Sequence, residues 1–345
     1  MHKYQFCIFE YNDATNNSAA TKAVSDCNKI FKRNGYTDYT LTFHNNSKRG
    51  WRFYLAAFKG IAKLLLQIEK GALVGIQYPM LNNVFKYFIK AARIKDIKFF
   101  CIIHDVESLR LGAKDPGLIK KETANLSYYD FLIVHNPVML QWLKNNGVTT
   151  RMLPLGIFDY LADKPPVHAA HSPQLNTIVY AGNLSKSKFI YKLDAVKEYR
   201  FNVYGPNLLT DEKQPENTKW CGVFSPDEIV YRLDGDFGLI WDGEDINELD
   251  SVLGNYLLYN NPHKASLYLA AGLPVIAPKN SAIGKLLDEL KVGVLIDTLA
   301  DLNTLKISPE EYQVLKSNCL VLQSKIINGD FFTQALAGVE SQLLQ

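Results

Sequence analysis

The residues best suited to chemistry lie between Asn260 and Ile276. A proline near a helix start, a polar first turn with His263, Lys264 and Ser266, an apolar helix, the Gly272 stop and a buried strand follow in order. Such a helix start would meet an anion with its positive dipole end, an ammonium and a hydroxyl together. Lys264 is the residue best placed to hold a diphosphate; the competing use is a solvated lysine. The run Gly182, Asn183, Leu184, Ser185, Lys186, Ser187, Lys188 follows an apolar strand and suits the same ligand, combining backbone N–H groups with two ammonium groups. Tyr204, at the end of the next strand, could flank that pocket. Phe224, just before a helix start, could lie against a flat base, with core packing as its other use.

A different chemistry is written in the first half. His104, Asp105, Glu107 and Arg110 stand just past a buried strand, and Asp105 and Glu107 are carboxylates suited to taking the proton of an acceptor hydroxyl. An ion-paired helix cap is the alternative. The loop Glu10 to Ser18 has no glycine where a dinucleotide-binding loop carries G-x-G-x-x-G, so it offers side-chain donors and acceptors for hydroxyl groups rather than a phosphate cradle. Helix capping by Asn16, Asn17 or Ser18 competes with that role. Tyr11, Tyr78 and Trp241 are further ring candidates at strand ends. Asp234-Gly235-Asp236 matches a metal-binding D-x-D but precedes its strand, at the wrong end for a ligand crevice, and reads as a turn. Asp242 to Asp245 follows the strand and could contact a sugar or form an acidic rim. No metal is expected from either.

Positioning these groups requires strands alternating with amphipathic helices. Strands are expected at Tyr4–Glu10, Tyr39–Phe43, Ala72–Gln77, Lys98–Ile103 and Phe131–Val134. Helices are expected at Ser18–Asn34, Trp51–Lys70, Leu81–Lys95, Pro116–Leu126 and Pro137–Asn146. After a proline-rich linker, residues 163–176, strands at Thr177–Ala181, Phe201–Tyr204, Phe237–Ile240 and Pro274–Ala277 alternate with helices at Pro226–Leu233 and Asn261–Ala271. This is an α/β pattern of two doubly wound parallel sheets, residues 1–162 and 177–330. The last helix, Phe331–Leu344, is expected to pack back on the first domain. Its ligands would bind at the carboxyl ends of the strands.

Composition narrows the classes. The 345 residues fit about two domains at roughly 150 residues each. With 47% hydrophobic and 21% charged residues, disorder is excluded as the main state. A net charge of +3, from 38 basic and 35 acidic residues, is too balanced for a dedicated nucleic-acid binder. Five scattered cysteines without a C-x-x-C pair indicate neither zinc nor a disulfide framework, and a reducing, cytoplasmic setting is expected. No signal peptide or membrane span is read from the apolar runs. Aromatic residues, 19 Tyr and 18 Phe among them, reach 12%, and most fall inside the expected strands, where packing is their ordinary use.

These segments together resemble a glycosyltransferase of the GT-B architecture, two Rossmann-like domains facing across a crevice. The resemblance rests first on P-H-K-x-S-x-x-L-A-A-G-L-P-V-I from Pro262. More narrowly, N-D-A-T-N-N-S-A near the start, I-Q-Y-P ending at Pro79, I-H-D-V-E-S-L-R from Ile103 to Arg110, Y-A-G-N-L from Tyr180 and N-P-H-K-A-S from Asn261 resemble a particular group. These are the glucosyltransferases that extend N-acetylglucosamine on bacterial serine-rich-repeat adhesins, and related galactofuranosyltransferase-like enzymes. The resemblance implies transfer of a hexose, glucose first, from a UDP-sugar to a glycosylated serine-rich protein or glycan, without a metal cofactor. It implies diphosphate contact for Lys264 with His263 and Ser266 beside it, a nucleotide-side role for Gly182, Asn183, Lys186 and Lys188, and an acceptor or donor-sugar role for Thr15 and Asn16. A homo-oligomer is suggested by the resemblance alone. The paired glutamates of many retaining GT-B enzymes are absent: Tyr259 and Leu267 stand in their places. Two other readings compete: a nucleotide-sugar epimerase or hydrolase of the same architecture, and a catalytically idle partner in a glycosylation complex.

Overall fold

The computed structural model describes residues 2–11, 19–44, 51–79, 82–166, 175–249 and 251–343. Two compact units emerge, residues 1–155 with 331–345, and residues 156–330. Segment 156–162, grouped with the first domain from sequence, packs in unit 2.

In unit 1 the chain runs β1 (Lys3–Tyr11), α1 (Ala19–Arg33), β2 (Thr37–His44), α2 (Trp51–Gln67), β3 (Leu73–Tyr78), α3 (Asn82–Ala92) and β4 (Lys98–Ile103). It continues through α4 (Glu107–Arg110), α5 (Pro116–Leu126), β5 (Phe131–Val134), α6 (Pro137–Asn145) and β6 (Arg151–Pro154). All pairings are parallel, in the order β2-β1-β3-β4-β5-β6. Every residue of β3 and β5 is buried, as a parallel sheet covered on both faces requires. β6, an edge strand with two of its four residues exposed, has no apolar run to announce it and was not expected from sequence. Phe6 stacks on Phe85 at 5.6 Å, and Phe31 meets Tyr36 and Phe100 edge-on or tilted at 5.0 and 6.0 Å.

Unit 2 contains β7 (Thr177–Ala181), β8 (Arg200–Tyr204), β9 (Thr218–Trp220), α7 (Pro226–Ile229), β10 (Phe237–Leu239) and α8 (Val252–Tyr256). Then follow α9 (His263–Ala270), β11 (Val275–Pro278), α10 (Ala282–Glu289), β12 (Gly293–Ile296) and α11 (Pro309–Asn328). Its parallel sheet has the order β12-β11-β10-β7-β8-β9. Between β7 and β8 the crossover uses 3-10 turns, Leu184–Lys186 and Lys188–Ala195, instead of an α-helix. Phe237, Phe201, Phe189 and Trp241 fill the core, with Tyr312 of α11 edge-on to Phe237 at 5.3 Å.

The final helix, α12 (Asp330–Leu343), belongs mainly to unit 1. Phe332 meets Phe31 edge-on at 4.9 Å, and Glu340 accepts from Lys3 Nζ at 3.1 Å and from the Tyr36 hydroxyl at 2.9 Å. Among the described residues no helix is long and apolar enough to cross a membrane.

Candidate functional site

Strand order in unit 2 reverses beside β7: β8 and β9 lie on one side, β10, β11 and β12 on the other. A reversal in an open parallel sheet parts the loops at the carboxyl ends and leaves a ligand crevice there. Its borders are the loop from Gly182 after β7 and the loop through Asp242 after β10. Lys264 of α9 joins both: its Nζ donates to the Tyr180 hydroxyl of β7 at 2.9 Å and to Asp242 Oδ1 at 2.5 Å. The ammonium also lies 4.6 Å from the Tyr180 ring centroid, a cation–π contact. Burial disfavours the charge, but the facing Asp242 carboxylate, followed by the Tyr180 and Tyr268 hydroxyls, outweighs it and holds the lysine above its ordinary pKa.

The placement of that lysine follows from one missing side chain. At Gly238 of β10 a Cβ would stand 2.2 Å from Tyr268 Cγ, so only glycine lets α9 lie this close to the sheet. Tyr268 then reaches across, its hydroxyl accepting the Ala181 N–H at 2.9 Å, which fixes α9 against the end of β7. Directions of the remaining hydrogen bonds follow from the ammonium, which can only donate. Tyr180 accepts from Lys264 and so donates to Ser187 Oγ at 2.6 Å; Ser187 in turn donates to the Asn183 carbonyl at 3.0 Å. A buried one-way chain thus ties the lysine to the Gly182–Lys188 loop. Asn183 shapes the loop further, its Oδ1 accepting from Ser185 N and Oγ at 3.2 and 2.9 Å. Gly205, at φ +137°, packs so tightly that a Cβ would fall 1.8 Å from the Gly182 carbonyl oxygen.

Unit 1 reverses its strand order beside β1, between β2 and β3. At the end of β3, Gln77 is buried; its Nε2 donates to Asn28 Oδ1 at 2.6 Å and Val24 O at 3.3 Å, and its Oε1 meets His104 Nε2 at 2.7 Å. His135 Nε2 contacts the His104 carbonyl at 3.0 Å, and burial lowers the His135 pKa to about 4, so this ring is neutral at pH 7. Glu122, buried in α5, shapes the following loop by accepting from Glu107 N at 2.9 Å, Ser108 N at 2.7 Å and the Tyr78 hydroxyl at 2.8 Å.

The geometry separates the residues expected from sequence. Lys264, Gly182 and Asn183 come together. Lys186 and Lys188 are exposed on the same loop, Lys188 facing Glu244 at 3.6 Å. The His263 ring packs against Tyr160 and Phe158, centroids 5.1 and 6.2 Å away, and Ser266 is buried within α9. Phe224 is half-buried, 6.2 Å from Tyr204, with the Arg232 guanidinium 5.7 Å over its ring. Asp105 is paired with Arg110 at 3.2 Å, while Glu107 is exposed at the start of α4. Thr15 and Asn16, with Asp13, lie outside the described residues. Three rings need correction: Tyr78 is 1% exposed, Tyr204 2% and Trp241 0%, their polar atoms engaged by Glu122, by Arg232 O and Asp234 N, and by Asp245 O. A strand end brings a residue to the crevice, but its pleat decides whether the side chain points there or into the core. Asp234-Gly235-Asp236 forms the turn expected of it, Asp236 Oδ2 accepting from Thr177 N at 2.9 Å.

Two family models match in succession: glucosyltransferase 3-like, N-terminal domain, over residues 5–157, and glucosyltransferase 3-like, C-terminal domain, over residues 178–339. The chain belongs to the glucosyltransferase 3-like family. It is a GT-B glycosyltransferase. Relatives of this glucosyltransferase 3-like protein include the beta-1,6-galactofuranosyltransferase WbbI of Escherichia coli (strain K12), 28% identical over 82% of this chain and 83% of the relative. Glucosyltransferase 3 of Streptococcus gordonii is 27% identical over 86% of each chain. Among solved structures, the lipopolysaccharide outer core galactosyltransferase WaaB in its apo form aligns with TM-score 0.56 at 11% identity, covering 98% of this chain and 99% of that one. A UDP-forming alpha,alpha-trehalose-phosphate synthase from Burkholderia xenovorans aligns with TM-score 0.58 at 10% identity, covering 98% and 100%. Both solved structures share the two-domain α/β fold.

Sequence reasoning missed Tyr180, and it missed that Ser187 and Asp242, both in segments it named, tie to Lys264. Tyr180 carried a signal, a hydroxyl-bearing ring one residue before the end of a strand whose buried neighbours Ile178, Val179 and Ala181 are apolar. In unit 1 it missed Gln77 and Glu122, polar residues inside apolar surroundings, where each must find partners.

Proposed function

We propose that this glycosyltransferase moves a hexose, glucose in the first place, from a UDP-sugar to an N-acetylglucosamine-bearing glycoprotein or glycan, as in the glycosylation of bacterial surface adhesins. The observation that carries the proposal is the Lys264 ammonium, spanning the two loops that border the strand-order reversal of unit 2. When the anomeric carbon–oxygen bond to the diphosphate breaks, negative charge gathers on the leaving phosphate oxygen. A fixed ammonium and backbone N–H groups stabilise it without reorganising. The new bond joins the anomeric carbon to the acceptor oxygen, and the acceptor proton passes to a base, for which Asp105, Glu107 and Asp13 are the candidates, or to the leaving phosphate itself. Asp242 occupies Lys264 as a resident anion, and the incoming diphosphate takes its place.

Lys264 supplies the charge that a divalent ion supplies elsewhere, so turnover is expected to survive a chelator. Five free cysteines fit a reducing, cytoplasmic setting. The names of the two relatives put glucose and galactofuranose forward as donor sugars. The test mixes purified chain with an N-acetylglucosamine-bearing adhesin peptide and UDP-glucose, UDP-galactose, UDP-N-acetylglucosamine or UDP-galactofuranose, with and without EDTA. Expected is mass gain of one hexose on the peptide with release of UDP, unchanged by EDTA. No transfer and no UDP release from any donor overturns the proposal.

A further inference from the structure

Helix α2 is apolar on two faces. Ile61, and Ile68 just past the helix end, are buried, yet Leu55, Phe58 and Leu66 fall on one outward stripe, Phe58 being 62% exposed and Leu66 83%. Helix α3 and the 3-10 turn Arg93–Lys95 that extends it repeat the arrangement. Phe85, Phe88 and Ile89 are buried, whereas Tyr87 and Ile94, on the opposite side, are 64% and 89% exposed. The crossovers from β2 to β3 and from β3 to β4 run the same way across the sheet, and right-handed connections then put α2 and α3 on one face. Lys95 joins their ends: its Nζ donates to Leu65 O at 2.8 Å and to Ile68 O at 3.0 Å. Leu66 and Ile94, the two most exposed large apolar residues among those described, adjoin this contact in the chain.

The charge here is one-sided. Residues 51–95 carry eight of the 38 basic side chains and one of the 35 acidic ones, Glu69, whereas the rest of the chain has more acid than base. Glu69 faces His2 at 2.7 Å. Lys59, Lys63, Lys90 and Arg93 are exposed, and among the described residues none of the four forms an ion pair. Interfaces between proteins are depleted in lysine, and a second copy of this face would set basic groups against basic groups. A bilayer bearing anionic lipid suits both halves at once, its phosphates meeting the ammonium groups while the acyl boundary takes the rings and leucines. We propose that the α2–α3 face of unit 1 docks on an anionic lipid bilayer, with Phe58, Leu66, Tyr87 and Ile94 in the boundary layer and Lys59, Lys63, Lys90 and Arg93 on the headgroups. The chain then rests on the surface, none of its described helices being long and apolar enough to cross. The inference is independent of which sugar is transferred.

The test sediments the full chain with vesicles of phosphatidylcholine alone, and with vesicles of equal parts phosphatidylcholine and phosphatidylglycerol. Wild type is expected on the anionic vesicles only, and to leave them as salt is raised. Lys59→Glu combined with Lys63→Glu should lower the partition coefficient at least about tenfold. Leu66→Gln combined with Ile94→Gln should lower it about tenfold. All four positions are exposed, and urea unfolding serves as the fold control. The two pairs act separately, so one decides the matter should the other not fold. Wild type that stays in solution with anionic vesicles overturns the proposal, as does equal binding to both vesicle types or undiminished binding in either folded pair. It is also overturned if the chain self-associates or holds heparin through these residues but leaves the vesicles alone.

Discussion

Both units gather polar side chains where strand order reverses, and both tie them into directed hydrogen-bond chains, yet the two chains end differently. In unit 2 the chain starts from a charge: Lys264 donates to Tyr180, Tyr180 to Ser187, Ser187 to a carbonyl, and Asp242 balances the ammonium. In unit 1 the links are amides and imidazoles: Asn28, Gln77, the ring of His104 and the buried neutral ring of His135. A charge in a partly desolvated crevice is the means of holding a diphosphate. Neutral donors and acceptors of fixed direction are the means of telling one hydroxyl arrangement from another, because a mismatched hydroxyl leaves a buried group unpaired. Under the proposed function, the same topology would serve grip in one unit and discrimination in the other.

The contrast breaks most sharply at Lys264. Lys264→Met is expected to lower kcat/KM by at least about a hundredfold, the scale for removing one charge-stabilising donor from a transition state. Isothermal titration with UDP should show weakened binding. Unimpaired UDP affinity in this variant would remove the charged half of the comparison. Next in size is Glu122→Ala, which strips partners from two backbone N–H groups and the Tyr78 hydroxyl. A stability loss of about 2–3 kcal/mol in urea unfolding is expected, with UDP binding unaffected.

The neutral half can be tested by acid. His135 is depressed from 6.5 to about 4 in the folded chain, so between those values the unfolded chain binds a proton that the folded one does not. Stability is therefore expected to fall as pH drops from 6.5 toward 4, His135 contributing on the order of 3 kcal/mol to that fall. His135→Gln should flatten this part of the stability–pH curve; an unchanged slope would contradict a neutral buried ring. The smallest effect is expected from Tyr180→Phe, which cuts the middle of the unit 2 chain but leaves the ring under the ammonium. The donor KM should rise about fivefold, in line with one hydrogen bond of about 1 kcal/mol, and kcat should barely move.

The parallel-sheet architecture was legible because buried strands read as continuous apolar runs: Lys98–Ile103, Phe131–Val134 and Thr177–Ala181 have the bounds expected of them. What escaped were elements whose stability comes from neighbours. Edge strands β6 and β9 are short and half-exposed. Helix α11 spreads its apolar residues without a clear stripe, although Ser308, Pro309 and Glu311 announce its start as a capping box. The position of Lys264 was legible because Pro262, the apolar turns and the Gly272 stop set it in the first turn of a helix that leads into a buried strand. Tyr180 and Gln77 were not, because each works through a partner 84 or 27 positions away, and a single sequence carries no sign of such pairings.

Helix α12 gives the chain an order of assembly. Unit 1 is built mostly from residues up to 155, but Phe31, Tyr36 and Lys3 complete their contacts only when Phe332 and Glu340 arrive. During synthesis the first unit to emerge from the ribosome is therefore the one that cannot close, while unit 2 has its whole complement by residue 330. Unit 1 must wait, with an aromatic seam uncovered, for a segment translated some 175 residues later. Such a nascent chain is a natural client for a chaperone, and a chain released after residue 330 would hold a complete unit 2 and an unfinished unit 1.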